Sequence, residues 1–220
     1  MAHIVGLCGI DGSGKTTVAR RVVQDLHGLG VRVRYHHELD FVTGKLLVRL
    51  ASLILGRRQT GTIKDSLLER KEQNQPLISL LYHLLIWTDS LLTFAWFKFT
   101  PGLVVHDRWP YDFLLQFRHR GYRNRLVWAL FSLFPRPDTL ILLKVPASVA
   151  YERKRTDPGH LQDGPEFFEK LAGWMDEIEN RSEYDGIIDG TAALEVVAQE
   201  VRTLIQARAC RSEPKTAVKR

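Results

Sequence analysis

The sequence has few cysteines, and their positions indicate neither a disulfide nor a metal site. Only two occur, Cys8 and Cys210, and almost the whole chain separates them. They predict neither a disulfide framework nor a metal-binding cluster, and such sparse usage favours a reducing compartment. The chain also begins without the basic stretch, apolar run and cleavage site of a secretory leader, so we expect a cytoplasmic protein.

A strong excess of one charge is missing as well. The chain carries 31 basic and 25 acidic residues, a net charge of +6 at pH 7. Part of this excess lies in residues 211–220, which we interpret as a basic tail. Basic and aromatic residues do not alternate as on a nucleic-acid platform, so no nucleic-acid partner is expected. An enzyme that handles anionic substrates needs a positive balance in any case.

Internal repeats and low-complexity linkers are absent, and 45% of the residues are hydrophobic, which suits a single domain over residues 1–210. One apolar segment, residues 77–99, is about long enough to span a bilayer. Asp89 near its middle would cost about 3 kcal/mol there. We therefore expect a buried helix, with an apolar face used for membrane contact as one alternative. A homodimer formed through apolar helices stays open as an alternative.

Apolar runs alternate with helical stretches along the chain. The expected strands are residues 4–8, 31–35, 103–106, 140–145 and 186–189, and the expected helices are residues 16–29, 44–56, 64–98, 111–134, 147–155, 165–182 and 192–208. This order predicts an α/β protein, a three-layer αβα sandwich with a five-stranded parallel sheet. Ligands of such sheets bind at the carboxyl ends of the strands.

Residues 9–16 read GIDGSGKT, between an apolar strand and a helix. This spacing is typical of a phosphate-binding loop, in which Lys15 reaches the β- and γ-phosphates and the Thr16 hydroxyl binds Mg²⁺. The glycines turn backbone N–H groups toward the phosphates, and the helix N-terminus adds partial positive charge. We expect ATP and Mg²⁺ as cofactors. The predicted nucleotide-binding residues are Gly9, Asp11, Gly12, Ser13, Gly14, Lys15, Thr16 and Thr17.

Two other groups follow strands at the same sheet edge. Asp107 and Arg108 end the third strand, where they form either a structural ion pair or part of the reaction site. In the second interpretation Asp107 helps to bind Mg²⁺ and Arg108 stabilises the transferring phosphoryl group. Glu38 follows the second strand, either as an exposed loop residue or as a base for a hydroxyl acceptor.

Together these motifs resemble the thymidylate kinase branch of the P-loop nucleoside and nucleotide kinases. The resemblance is carried by residues 9–17 (GIDGSGKTT), 104–109 (VVHDRW), 147–155 (ASVAYERKR) and 187–190 (IIDG). It implies transfer of the ATP γ-phosphoryl group to a small nucleotide acceptor, a nucleoside monophosphate such as dTMP. It also implies a small mobile lid at about 153–165. The candidate catalytic residues are then Lys15, Arg108, Arg153, Arg155 and Glu38.

The helical region at about 41–100, which the resemblance assigns to the acceptor, departs from the family. His37 and Ser90 stand where the family has arginines that hold or shape the acceptor site, and neither replaces a guanidinium fork. A nucleoside or other small hydroxyl compound is therefore an alternative acceptor, with Glu38 as the base. A nucleotide-binding regulator without catalysis is a second alternative, although no expected strand ends in the D-x-x-G motif of P-loop switches and the N-K-x-D motif is missing.

Overall fold

The structure is a computed structural model that describes residues 1–37, 76–109, 112, 129, 132–156, 164–179 and 184–212. Within these residues the strands are β1 (His3–Cys8), β2 (Val33–His37), β3 (Leu103–Asp107), β4 (Thr139–Lys144) and β5 (Gly186–Asp189). The helices are α1 (Lys15–Gly28), α2 (Pro76–Lys98), α3 (Ala147–Arg155), α4 (Pro165–Glu179) and α5 (Leu194–Ser212).

The five strands form one parallel sheet in the order β2-β3-β1-β4-β5. The predicted α/β class and five-stranded parallel sheet are therefore confirmed. Strand β1 lies at the centre, where Leu7 is in register with Asp107 of β3 and Cys8 with Leu142 of β4. The loop after β1 and the end of β3 thus meet at one edge of the sheet, as the rule for parallel sheets requires.

Helices cover both faces of this sheet. On one face α1 and α5 bury Val22 and Val201 against Val5 and Ile141. On the other face Phe97 from α2 and Phe168 and Met175 from α4 pack with Ile4 of β1. Because neighbouring residues of a strand point to opposite faces, the nearly continuous apolar strands supply both layers of the core.

Several element boundaries differ from the sequence expectation, and the start of β2 and the end of α5 are two examples. Strand β2 begins at Val33 instead of residue 31, because Val31 donates its N–H to the Leu26 carbonyl over 3.0 Å and so closes the end of α1. Helix α5 continues to Ser212, two residues into the segment predicted as a basic tail. The predicted helix 44–56 and the rest of the tail lie outside the described residues, as do residues 64–75 and 180–182 of two other predicted helices and most of the helix 111–134.

The long apolar helix is not buried on every side. Its carboxyl half exposes Leu92 and Trp96, and Phe99 just beyond its end is 82% exposed. Leu133, from the segment before β4, is exposed as well. None of the helices described here combines the length and hydropathy that a bilayer crossing requires. The homodimer through apolar helices, left open by the sequence, stays an untested alternative.

Candidate active site

The loop after β1 has the backbone that its glycines permit. Gly12 and Gly14 take φ values of 85° and 89°, in the left-handed region that favours glycine. Gly14 is the N-cap residue of α1 and has no side chain that could accept a hydrogen bond from the helix. The first N–H groups of α1 are therefore left for another acceptor. A side chain at position 12 would collide with the Ala150 carbonyl of α3. The loop is therefore shaped for close approach of an anion.

Lys15 lies in the mouth of this loop and is only 4% exposed. Its ammonium donates to the Gly9 carbonyl and, over 2.9 Å, to the Ile10 carbonyl. The Ser13 hydroxyl oxygen lies 3.5 Å from the same nitrogen. The lysine is thus held within the loop by neutral oxygen acceptors, at the position where the motif expects it.

Asp107, at the end of β3, is fully buried and touches α1 and β2. Its Oδ2 accepts hydrogen bonds from the Thr16 hydroxyl over 2.7 Å and from the Tyr35 hydroxyl over 2.9 Å. Burial, followed by the charge of Asp107, raises the pKa of Tyr35 to about 12, so Tyr35 stays a donor. His37 Nε2 lies 3.7 Å from the same oxygen. Tyr35 was not singled out from the sequence, although its alternation in β2 puts it on the face of Val33.

Asp107 and Thr16 fit a divalent cation. The Oδ1 atom of Asp107 is buried and has no hydrogen-bond partner among the described residues. Carboxylate and hydroxyl oxygens are ligands that Mg²⁺ prefers, and this ion takes few protein ligands beside substrate phosphates. The described residues contain no group of three or more His, Cys, Asp or Glu side chains that could hold a metal ion. One carboxylate and one hydroxyl fit an ion that takes its remaining ligands from water or substrate oxygens.

Arg108 turns back toward the loop. It takes a φ of 72°, the only positive φ outside glycine among the described residues. Its guanidinium lies 2.6 Å from Oδ1 of Asp11. Burial tends to raise the pKa of Asp11, but the charges of Arg108 and Lys15 outweigh it and lower that pKa below its ordinary value. The pair therefore places a fully charged arginine and carboxylate at the mouth of the loop.

Asp112 was missed by the sequence reasoning. It is 4% exposed, its Oδ1 accepts the Gly9 N–H over 3.2 Å, and its Oδ2 lies 3.5 Å from Lys15 Nζ. Burial raises its pKa to about 6, against the opposing charges of Lys15 and Arg108. The sequence signal that could have identified Asp112 is its position, five residues after Asp107 and just beyond the end of β3.

The two candidate lid arginines differ in their surroundings. Arg153 donates to the Gly190 carbonyl over 2.9 Å and lies 3.5 Å from the Gly12 and Ser13 carbonyls. Arg155 pairs with Glu152 over 2.8 Å on the exposed side of α3. A pocket of about 220 Å³ adjoins Arg153 and the loop; it is lined by Ser13, Gly14, Thr17, Val18, Arg153, Gly190, Ala192, Leu194 and Val197. Of these two arginines, only Arg153 contacts the loop after β1.

Other predicted positions are only partly described. Glu38 and most of the predicted lid, residues 157–163, lie outside the described residues. Asp89 and Ser90 are buried in α2, 4% and 7% exposed. His106 is buried against the Trp109 and His36 rings, and burial lowers its pKa to about 3, so it is a neutral packed side chain.

No protein-family model matches the chain. Among curated proteins it is 28% identical to a probable thymidylate kinase from Metallosphaera sedula, over 93% of this chain and 92% of that protein. It is 27% identical to a probable thymidylate kinase from Archaeoglobus fulgidus, over 92% and 94% of the two chains. A thymidylate kinase from Xylella fastidiosa is 27% identical over 72% of this chain and 70% of its own.

Among solved structures, a deoxyadenosine kinase from M. mycoides, with products bound, has the same fold. The TM-score is 0.62 at 13% identity, over 93% of this chain and 99% of the other. This likeness confirms the P-loop kinase architecture expected from the sequence.

Proposed function

We propose that this chain, a thymidylate kinase-like P-loop kinase, transfers the γ-phosphoryl group of ATP to a nucleoside monophosphate, dTMP or a close analogue. The arrangement at the carboxyl edge of the sheet carries the proposal. Lys15 in the loop, Thr16 bonded to Asp107, and Arg108 at the loop mouth bring the donor-binding groups together. Such reactions depend on positioning and charge stabilisation, and they need no covalent intermediate.

The donor is proposed to bind along the loop with its base toward α5. Backbone N–H groups of the loop and of the start of α1 would hold the β-phosphate. The pocket beside Arg153 supports this orientation, because its apolar wall, Val18, Leu194 and Val197, suits a flat base. Thr17 lines the same pocket and would touch the α-phosphate side of the donor.

Thr16 and Asp107 would hold Mg²⁺ when the nucleotide is bound. The metal then supplies positive charge to the β- and γ-phosphate oxygens. Thr16 and Tyr35 both donate a hydrogen bond to Oδ2 of Asp107. The Thr16 hydroxyl could therefore turn from Asp107 to the metal while the Tyr35 hydroxyl keeps the carboxylate oriented. Second-sphere partners of this kind fix the direction in which a metal-binding carboxylate points.

Arg108 is proposed to stabilise charge on the transferring phosphoryl group. Its guanidinium is charged and faces the loop, where it now contacts Asp11. A phosphate could take the place of the Asp11 carboxylate, since both groups accept two parallel hydrogen bonds from a guanidinium. Arg153 would add a second cation from α3, since it already contacts the loop carbonyls. Arg155 stays a candidate from the family resemblance alone, since it pairs with Glu152 on the exposed side of α3.

A hydroxyl acceptor is the second candidate. Ser90 is buried in α2 where the family carries an arginine, so the described part of the acceptor side lacks one phosphate-gripping cation. In that case Glu38 is proposed to take the proton of the attacking hydroxyl. The two candidates share the donor site and differ only in the acceptor.

The experiment is a transfer assay with Mg²⁺ and ATP against dTMP, other nucleoside monophosphates, nucleosides and sugars, with products separated by chromatography. We expect dTDP or a related diphosphate, strongly reduced in Lys15→Ala and unchanged in Lys170→Ala, an exposed lysine of α4. Product only from hydroxyl compounds, abolished in Glu38→Gln, would replace the first proposal by the second. ATP binding without transfer to any acceptor would contradict both.

A further inference from the structure

Asp112 and Lys15 form the most deeply buried pair of opposite charges at the phosphate loop. Each is 4% exposed, and Oδ2 of Asp112 lies 3.5 Å from Nζ of Lys15. That oxygen has no hydrogen-bond partner among the described residues, whereas Oδ1 accepts the Gly9 N–H. A carboxylate in such a place depends for its charge on the cations nearby.

The charged groups that face Asp112 come from three elements. Lys15 of α1 and Arg108 after β3 favour its charged form, as does the Gly9 N–H, while Asp11 of the loop opposes it. Arg108 is already committed to Asp11 at 2.6 Å. Lys15 is therefore the cation on which the negative charge of Asp112 chiefly depends.

Phosphate binding changes this balance. The loop motif directs Lys15 to the β- and γ-phosphates, so its ammonium must turn from the loop carbonyls toward an incoming polyanion. Asp112 would then lose its nearest cation and gain negative neighbours in a site of low polarity. A buried carboxylate under those conditions is more stable with a proton than without one.

We propose that Asp112 is the counter-charge of Lys15 in the free enzyme and binds a proton when Lys15 moves to the nucleotide phosphates. The proton comes from the buffer, and the Asp112 carboxylate becomes a carboxylic acid with no other bond made or broken. Asp112 is a positioning residue, because it acts on the nucleotide only through Lys15 and the Gly9 amide. The inference rests on the proposed nucleotide site.

The proton linkage has a definite sign. Asp112 is mostly ionised above its free-state pKa of about 6. If its pKa rises on binding, the affinity is highest below that pH and is lost as the pH rises toward the bound-state value. At pH values between the free-state and the bound-state pKa of Asp112, the Kd for nucleotide should therefore increase with pH, by up to about tenfold per unit.

The test is calorimetric titration of the whole protein with Mg²⁺·ADP at about pH 7.5, in two buffers with different heats of ionisation. The difference in binding heat gives the number of protons taken up. We expect about one per nucleotide in the wild type. Asp112→Asn keeps the acceptor for the Gly9 N–H but cannot ionise, so it should bind nucleotide with almost no proton uptake. Asp25→Asn, in the outer part of α1, should keep the wild-type value.

Each alternative result is decisive. Wild-type uptake below about half a proton, or full uptake retained in Asp112→Asn, would overturn the role of Asp112; the latter would point to Asp11. If the Asn variant does not fold, Asp112→Ser takes its place in the same titration. Absence of any binding heat in the wild type would overturn the nucleotide site itself, and the role of Asp112 with it. Nucleotide binding without proton uptake would overturn only the role of Asp112.

Discussion

The Thr16 hydroxyl donates a hydrogen bond to Oδ2 of Asp107 over 2.7 Å and so joins the start of α1 to the end of β3. If these two oxygens hold Mg²⁺ in the loaded enzyme, Thr16→Ala should reduce the transfer rate by about 10- to 100-fold. The loss should shrink as the Mg²⁺ concentration increases. Thr203→Ala, which removes an exposed hydroxyl from α5, serves as the control. An Mg²⁺ dependence identical to wild type in Thr16→Ala would contradict the assignment.

Tyr35 offers a milder test of the same carboxylate. Tyr35→Phe removes one hydrogen bond to a buried oxygen and should lower the free energy of unfolding by about 1 kcal/mol. It should also raise the Mg²⁺ concentration needed for half-maximal turnover, because Asp107 is less firmly oriented. Urea unfolding and Mg²⁺ titration of the rate measure the two effects. Tyr151→Phe, beside Phe168 on the other face of the sheet, should not change the Mg²⁺ dependence.

Arg108 combines a proposed reaction role with a left-handed backbone. Arg108→Ala and Arg108→Gly both remove the guanidinium, and each should lower turnover by about 1000-fold. At a φ of 72° glycine avoids a clash that costs other residues about 1–2 kcal/mol, partly offset by its greater unfolded-state freedom. The Gly variant should therefore be the more stable of the two in urea unfolding. Equal stabilities would show that the backbone at this position relaxes.

Gly12 and Gly28 form a contrasting pair. Gly12→Ala puts a methyl group onto the Ala150 carbonyl at a φ of 85°, so it should abolish nucleotide binding and destabilise the protein by at least about 1–2 kcal/mol. Gly28→Ala, at the end of α1, meets no atom within 4 Å and should stabilise it by about 0.5–1 kcal/mol. Thermal unfolding with and without Mg²⁺·ADP measures both. Tight binding by the Gly12 variant would refute the close packing of the loop on α3.

Arg153 and Arg155 can be separated by single replacements. Arg153→Ala loses contacts with the Gly190, Gly12 and Ser13 carbonyls, so it should raise the Kd for nucleotide and lower the rate together. Arg155→Ala breaks only an exposed pair with Glu152, and its effect on the Kd should be small. Binding titrations and steady-state rates give the comparison. A larger loss for Arg155 would mean that the helix end rearranges when substrate binds.

The sequence by itself determined the loop after β1, to which we assign the phosphate donor. Short-range rules suffice for a loop such as residues 9–16, where glycine spacing, a lysine and a hydroxyl residue define both the backbone and the ligand. They also suffice for the parallel sheet, since unbroken apolar strands alternating with helices have few other arrangements. The start of β2 was misjudged by two residues, because the N–H of Val31 closes the turn after α1 and hydrophobic periodicity does not reveal such a hydrogen bond.

Only the tertiary structure decided how the charged groups pair. Gly9 and Asp112 are 103 positions apart in the chain, and Tyr35 and Asp107 are 72 apart. Their contacts depend on the register of β1, β2 and β3 at one sheet edge, where a shift of one residue would turn each side chain to the opposite face. The sequence shows that acids and bases are present, but burial and partner distance decide which of them is charged, and those follow from the folded chain alone.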